Sequence, residues 1–321
     1  MASYRLYGGE LSLFTRKLEA ALVFYGADFD FLPKEPANAA ELETRSGTHQ
    51  VPVLRTPENW MLADTTPIME LLDARFPGRE LFPAGDLGVL THVIEEFFDE
   101  WVARVMVHYR WHYPESAEFA AQRIGRGHPE RAAQILQWGP RACRATGTES
   151  PSQQQAAEAE YRRVLVAAEA QLQQTRFLLG DRPTAVDCIV LGGLRAHTYT
   201  DPVPKRVVAN YPAVVAWAER GANDWDGSGE LAPFPASTPF ARFALAELPL
   251  GYAPFVLANA AALAAGSKTC RAEVFGEEVS FLTRPYPERS RQMIRDRIAR
   301  VGPSPAIATW LDDIGLTEVF Q

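Results

Sequence analysis

The order of short segments between Tyr4 and Phe76 constrains this chain more than any other feature. Tyr4-Arg5-Leu6-Tyr7 is rich in β-formers and is stopped by Gly8-Gly9, which reads as a strand. Leu18, Ala21, Leu22 and Tyr25 then recur at helical spacing, with Ser12 in the N-cap position and Gly26 in the C-cap position. Phe29-Asp30-Phe31-Leu32 alternates as a strand does and ends at Pro33. Val51-Pro52-Val53-Leu54 and Trp60-Met61-Leu62 give two more strands, and Pro67 to Phe76 an amphipathic helix. The predicted order is β-α-β followed by β-β-α. Segments this short bury a core only by packing their helices onto one small sheet.

Three places in this region bear on chemistry. Ser12 opens a helix, where free backbone N–H groups and the positive end of the dipole favour a thiolate or a carboxylate. Gln50-Val51-Pro52-Val53 holds a proline that forfeits a ladder bond. A cis Val51–Pro52 bond there leaves Val51 open to pairing with an extended peptide, and a trans proline on an edge strand fits the segment equally. Asp64-Thr65 precedes the second helix, where a hydroxyl and N–H groups suit a carboxylate and Asp64 suits an ammonium. Taken singly, Ser12 and Asp64-Thr65 both read as ordinary helix capping.

Beyond Pro83 the pattern becomes helical. Residues 88–113 read as one long aromatic helix, 146–155 (TGTESPSQQQ) as an exposed loop, and 156–174 as a helix. Thr184 and Asp187 have the spacing of a capping box before an apolar run to Leu194. A short helix is predicted at 212–220. The glycines and prolines of 221–239 read as a linker. Past it come an alanine-rich helix (Ala253–Ala265), a hairpin (Thr269–Val274 with Glu278–Leu282) and a basic helix (Arg289–Arg300).

Composition limits the function classes. Of 321 residues, 47% are hydrophobic and 22% charged, the proportions of a globular chain rather than a disordered one. The length suits two domains and an extension. A net charge of −8 gives no bulk footprint for nucleic acid. No apolar run has transmembrane length, and MASYRLYGGEL lacks the layout of a signal peptide. Cys143, Cys188 and Cys270 are too few and too scattered for a disulfide framework or a C-x-x-C site. The expectation is a cytoplasmic protein with no membrane or nucleic-acid partner.

Together the motifs resemble the glutathione transferase superfamily. Leu11-Ser12-Leu13-Phe14-Thr15-Arg16-Lys17 is similar to that family's S-P-[FY]-x-x-[KR]-[KR] segment, with Leu13 in place of proline. Gln50-Val51-Pro52-Val53-Leu54 is similar to its cis-proline segment, Asp64-Thr65 to its Glu-Ser or Asp-Ser pair, and Thr184-x-x-Asp187 to its second-domain capping box. Asp99-Glu100-Trp101 and His108-Tyr109-Arg110-Trp111 resemble a bacterial branch with a long C-terminal extension.

The resemblance implies an α/β thioredoxin-like domain (1–83), an all-α domain (88–225) and an α+β extension (226–321). It implies glutathione as cofactor, lying along Val51 and Pro52. Its γ-glutamyl carboxylate would meet Thr65, its ammonium Asp64 and its sulfur Ser12, a serine-type arrangement. Gln50 would touch the peptide, and His49 or Lys34 the glycine carboxylate. Tyr7 is the rival for the sulfur. A small electrophile would enter against Trp101, Arg104, His108 and Tyr7. On that helix Phe97, Trp101 and Val105 also read as packing, whereas Arg104 and His108 need a partner or a ligand. His108 and His112 lack the third ligand and the glutamate of a zinc helix, so no metal is expected. A homodimer is also implied.

The activity implied is attack of the glutathione thiolate: conjugation, reductive ether or halide cleavage, or isomerisation. The alternatives are a non-catalytic binding or scaffold protein of the same fold, and a biosynthetic isomerase or cyclase that uses the cleft without glutathione.

Overall fold

Four short strands form one mixed sheet in the order β2-β1-β3-β4. The computed structural model describes residues 3–220, 225–302 and 304–321. The elements run β1 (Tyr4–Gly8), α1 (Leu13–Tyr25), β2 (Phe29–Pro33), α2 (Pro36–Ser46), β3 (Val53–Arg55), β4 (Met61–Ala63) and α3 (Thr65–Arg75). Strands β1 and β2 are parallel, whereas β3 runs antiparallel to both β1 and β4. The unit is a thioredoxin-like α/β domain.

Its first helix forms for the reasons read from the sequence. Ser12 Oγ accepts the Thr15 N–H, and Gly26 closes α1 in the left-handed region (φ 69°). Leu6, Leu18, Leu22 and Leu72 are fully buried between the sheet and its helices. Helix α2 is missing from the sequence reading because its inner face buries only Leu42.

The helical part begins with α4 (Asp86–Glu96), a π-helical segment (Phe97–Val102) and α5 (Ala103–Trp111). Then follow α6 (Pro114–Ile124), α7 (Pro129–Leu136), α8 (Trp138–Ala145), α9 (Pro151–Leu172), α10 (Ala185–Gly193), α11 (Pro202–Val208) and α12 (Pro212–Glu219). The expected loop at 146–155 is half helix, because Ser150 caps α9 and Pro151 opens it. Helix α10 is held by the expected box: Asp187 accepts both the Thr184 N–H (2.8 Å) and the Thr184 hydroxyl (3.0 Å). It packs so closely on α1 that a Cβ at Gly192 would lie 2.7 Å from the Leu13 carbonyl oxygen.

Residues 221–224 of the expected linker lie outside the described residues. From Trp225 to Ser237 the backbone is irregular but pinned. Leu231 bridges to Gly180, and Trp225 meets Phe24 edge-on. Pro239 does not continue a linker; it opens α13 (Pro239–Glu247), capped by Thr238. Then come α14 (Tyr252–Ala264), β5 (Thr269–Val274), β6 (Glu277–Leu282), α15 (Pro285–Val301), α16 (Pro305–Asp313) and α17 (Thr317–Phe320). The hairpin turns at Phe275 and Gly276, both with positive φ.

This C-terminal part folds back over the rest. Val274, Phe281, Ile294 and Leu311 belong to the same continuous core as Leu6 and Trp101. Arg297 of α15 pairs with Glu70 of α3, donates to His92 Nδ1 of α4 at 3.2 Å, and lies over the Phe82 ring. Among the described residues no single helix is long and apolar enough to cross a membrane.

Candidate functional site

The sheet register brings the three sequence stations to one edge. Tyr7 pairs with Val53, and Val53 with Ala63, in one row across the sheet. The turn after β1, the segment before β3 and the residues after β4 therefore leave the sheet at the same end. These hold Ser12, Val51-Pro52 and Asp64-Thr65. Lys34 emerges there too, since Gly8 is level with Pro33.

Each station is held from behind. Ser12 is half-buried, and its Oγ accepts from Thr15 N at 3.3 Å, which leaves the O–H free to donate. The Leu11 carbonyl before it accepts from Arg110 Nη1 at 2.6 Å, and Asp201 grips the same guanidinium at 2.8 and 3.0 Å. Val51–Pro52 is cis, with Val51 partly exposed and Pro52 buried. His49 and Gln50 are exposed. The Lys34 ammonium donates to the His49 carbonyl at 2.6 Å and pairs with Glu43. Asp64 precedes α3 with φ 76°, and Thr65 and Thr66 are buried behind it.

The floor beneath is ionic. Lys17 is fully buried among Thr66 Oγ1 (3.0 Å), Asp99 Oδ1 (2.7 Å) and Glu95. Burial opposes its charge, yet the two carboxylates hold the ammonium above the ordinary lysine range. Burial lifts Glu95 and Glu100 to about 7 each, Lys17 and Arg284 respectively opposing. Asp64 is raised as well, first by burial and then by Asp99, with Lys17 and Arg289 pulling the other way. Glu96 rises well above the carboxylate range by burial and through Glu100, and it accepts the Tyr252 hydroxyl at 3.0 Å.

The residues expected to line an open electrophile pocket sit elsewhere. A π-helical turn at Phe97–Val102 interrupts this helix, and Phe97, Trp101, Arg104, Val105 and His108 are all buried. Trp101 is 1% exposed and packs against Phe255, Phe275 and Phe281 of the C-terminal part. A Cβ at Gly251 would strike its ring at 2.4 Å. Trp101 Nε1 and Arg104 Nη2 both donate to the buried Glu160, at 2.7 and 2.6 Å. His108 lies 3.0 Å from Glu158, and burial lowers its pKa. Tyr7 is also drawn inward, into a small cluster with Leu42 and Val53 under α2.

Three features of this region escaped sequence reading: Lys17 as an interdomain staple, Arg110 behind the Ser12 turn and Arg289 of α15 beside Asp64. Lys17 carried one signal, a charge on the buried stripe of α1 between Leu13 and Ala21. Arg289 carried none.

The family model for the glutathione S-transferase N-terminal domain matches residues 6–80, and that for the glutathione S-transferase C-terminal domain matches 132–224. The chain belongs to the glutathione S-transferase superfamily. No curated protein matched it. Solved structures similar to it include a glutathione S-transferase from Rhodospirillum rubrum F11, at 18% identity over 75% of this chain and 99% of that one (TM-score 0.47). Another is the beta-etherase LigF from Sphingobium sp. strain SYK-6, at 20% identity over 69% and 97% (TM-score 0.48). Residues 81–131 and everything past 224 lie outside both family models, and the latter stretch supplies the aromatic cover of Trp101 and the arginine at Asp64.

Proposed function

We propose that the chain binds glutathione along Val51-Pro52, with Asp64 and Thr65 at the γ-glutamyl end and Ser12 at the sulfur. The observation that carries this reading is the shared row Tyr7–Val53–Ala63, which sends all three stations out of one sheet edge. The residues fit the tripeptide chemically. Asp64 offers a half-buried acid to an ammonium, α3 offers N–H groups and the Thr65 hydroxyl to a carboxylate, and Ser12 keeps a free O–H. The retreat of Tyr7 into the α2 cluster favours Ser12 for the sulfur.

Bound glutathione supplies a thiol whose free pKa is about 8.5. A hydroxyl donor at the positive end of α1 stabilises the thiolate and lowers that value. Arg110 fixes the turn by holding the Leu11 carbonyl, so the donor does not wander. The nucleophile then attacks a small hydrophobic electrophile by conjugation, ether or halide cleavage, or isomerisation. One observation favours a second reading, a binding protein without turnover: the hairpin fills the wall around Trp101. A homodimer has to accommodate α15, which already lies along α4 and the flank of α3.

The deciding experiment titrates the thiolate absorbance of glutathione bound to wild type, Ser12→Ala and Tyr7→Phe. The expected result is a depressed pKa in wild type and Tyr7→Phe, and a return toward 8.5 in Ser12→Ala. Turnover should fall about ten- to a hundredfold in Ser12→Ala, since a charge-assisted hydrogen bond is worth roughly 1.5–3 kcal/mol. Binding with an undepressed pKa gives the second reading; no binding removes both.

A further inference from the structure

We infer that Arg289, carried by the C-terminal helix α15, binds the α-carboxylate of the γ-glutamyl group while Asp64 takes the ammonium on the same carbon. The inference rests on the glutathione reading above. Arg289 Nη2 and Asp64 Oδ2 are 3.4 Å apart, a loose ion pair at the start of α3. The two partners differ in freedom: the Asp64 side chain is 22% exposed and that of Arg289 59%. Asp64 is fixed by its place between β4 and α3. The Arg289 guanidinium otherwise rests over the Tyr286 ring, 5.4 Å from its centre.

An α-amino acid carries both charges on one carbon. Placed between Asp64 and Arg289, it exchanges one loose pair for two, ammonium on carboxylate and carboxylate on guanidinium, with no change in net charge. Arginine suits the second contact, because its planar fork can hold both carboxylate oxygens. The neighbouring cations are committed. Lys17 is enclosed by Asp99, Glu95 and Thr66. Arg284 faces Glu100 at 3.3 Å, and its backbone is bracketed by Asn259 through bonds of 2.9 Å at both N–H and carbonyl. Helix α15 itself is anchored two turns on by Arg297 against Glu70 and His92, so the Arg289 side chain can swing while its Cα stays.

The test compares two tripeptides by calorimetry on the full chain: glutathione, and 4-aminobutanoyl-cysteinyl-glycine, which is glutathione without its α-carboxylate. Wild type should hold glutathione about ten- to a hundredfold more tightly. Arg289→Gln keeps a polar side chain there and removes the charge, and should cut that preference at least about threefold, the remainder being what the Thr65 hydroxyl and the α3 N–H groups hold. Arg289→Lys keeps the charge without the fork and should show an intermediate preference. A lost general fit would weaken both peptides alike and leave the ratio unmoved. If Arg289→Gln keeps the wild-type preference, another group holds the carboxylate and the inference is overturned, while the glutathione reading stands. If wild type binds neither peptide, both fall. Should Arg289→Gln not fold, an undiminished preference in Arg289→Lys overturns the inference equally.

Discussion

Lys17 Nζ lies 2.7 Å from Asp99 Oδ1, with no part of the lysine side chain reaching solvent. This pair joins the first helix of the sheet domain to the π-helical turn of the next. Removing one partner of a buried pair strands the other charge and costs about 3–5 kcal/mol. Lys17→Met should therefore lower the urea midpoint sharply at pH 8. The loss should be smaller at pH 5.5, where Glu95 can take a proton instead of standing uncompensated. Equal losses at both pH values would show that the ammonium is not balancing those carboxylates.

Glu100 offers a second pH test. Its folded pKa is lifted by burial to about 7, above the ordinary 4.5. Between those values the folded protein holds the proton more firmly than the unfolded chain does. The contribution of this group to stability is thus complete below about 4.5 and is lost as pH rises to about 7. Glu100→Gln should gain stability relative to wild type across that window, with the difference levelling off above it. Parallel stability curves for the two proteins would count against an elevated Glu100.

The box at the start of α10 should respond unequally to its two members. Thr184→Ala should cost about 1 kcal/mol, as lost caps do. Asp187→Ala should cost more, because it also strands the Leu178 N–H, which donates to Asp187 at 2.9 Å. Denaturant titration of the pair reads the order directly, and an unchanged midpoint in Thr184→Ala would mean that no capping operates there.

Gly192→Ala probes the bond between α10 and the Ser12 turn. The new methyl would meet the Leu13 carbonyl oxygen at 2.7 Å and Lys17 N at 2.9 Å, both of them backbone atoms. Overpacking of this kind costs about 1–3 kcal/mol. Because the displaced backbone follows Ser12 directly, glutathione affinity should fall along with the melting temperature. A variant with wild-type values of both would show that the contact yields freely.

The parts of this fold that were legible in sequence are those whose signals are local. Ser12 and Gly26 bracket α1, Thr184 and Asp187 open α10, and Phe275-Gly276 turns the hairpin, each within a few residues of its effect. Prolines misled. Helices α2, α6, α7, α9, α11, α12, α13, α15 and α16 each begin with one, where the missing N–H costs nothing, yet in sequence Pro239 looked like linker. The three stations of the site were legible because they flank strands. Lys17, Arg110 and Arg289 were not, since their partners Asp99, Asp201 and Asp64 lie far away in the chain. Trp101 takes the packing role that the sequence also allowed it, and Arg104 finds its partner in Glu160, 56 residues on, which no local pattern signals.

Arg297 spends one guanidinium on both halves of the molecule, meeting Glu70 in the sheet domain and His92 in the helical one. The hairpin of the same C-terminal part is tied to α9 through Gln153, which donates to the Val274 carbonyl at 2.9 Å. A denaturant that lifts this strap uncovers the flank of α3 and the aromatic packing of Trp101 in one event. The molecule should therefore melt in a single cooperative transition, and the angle between its two halves should stay fixed at temperatures below it.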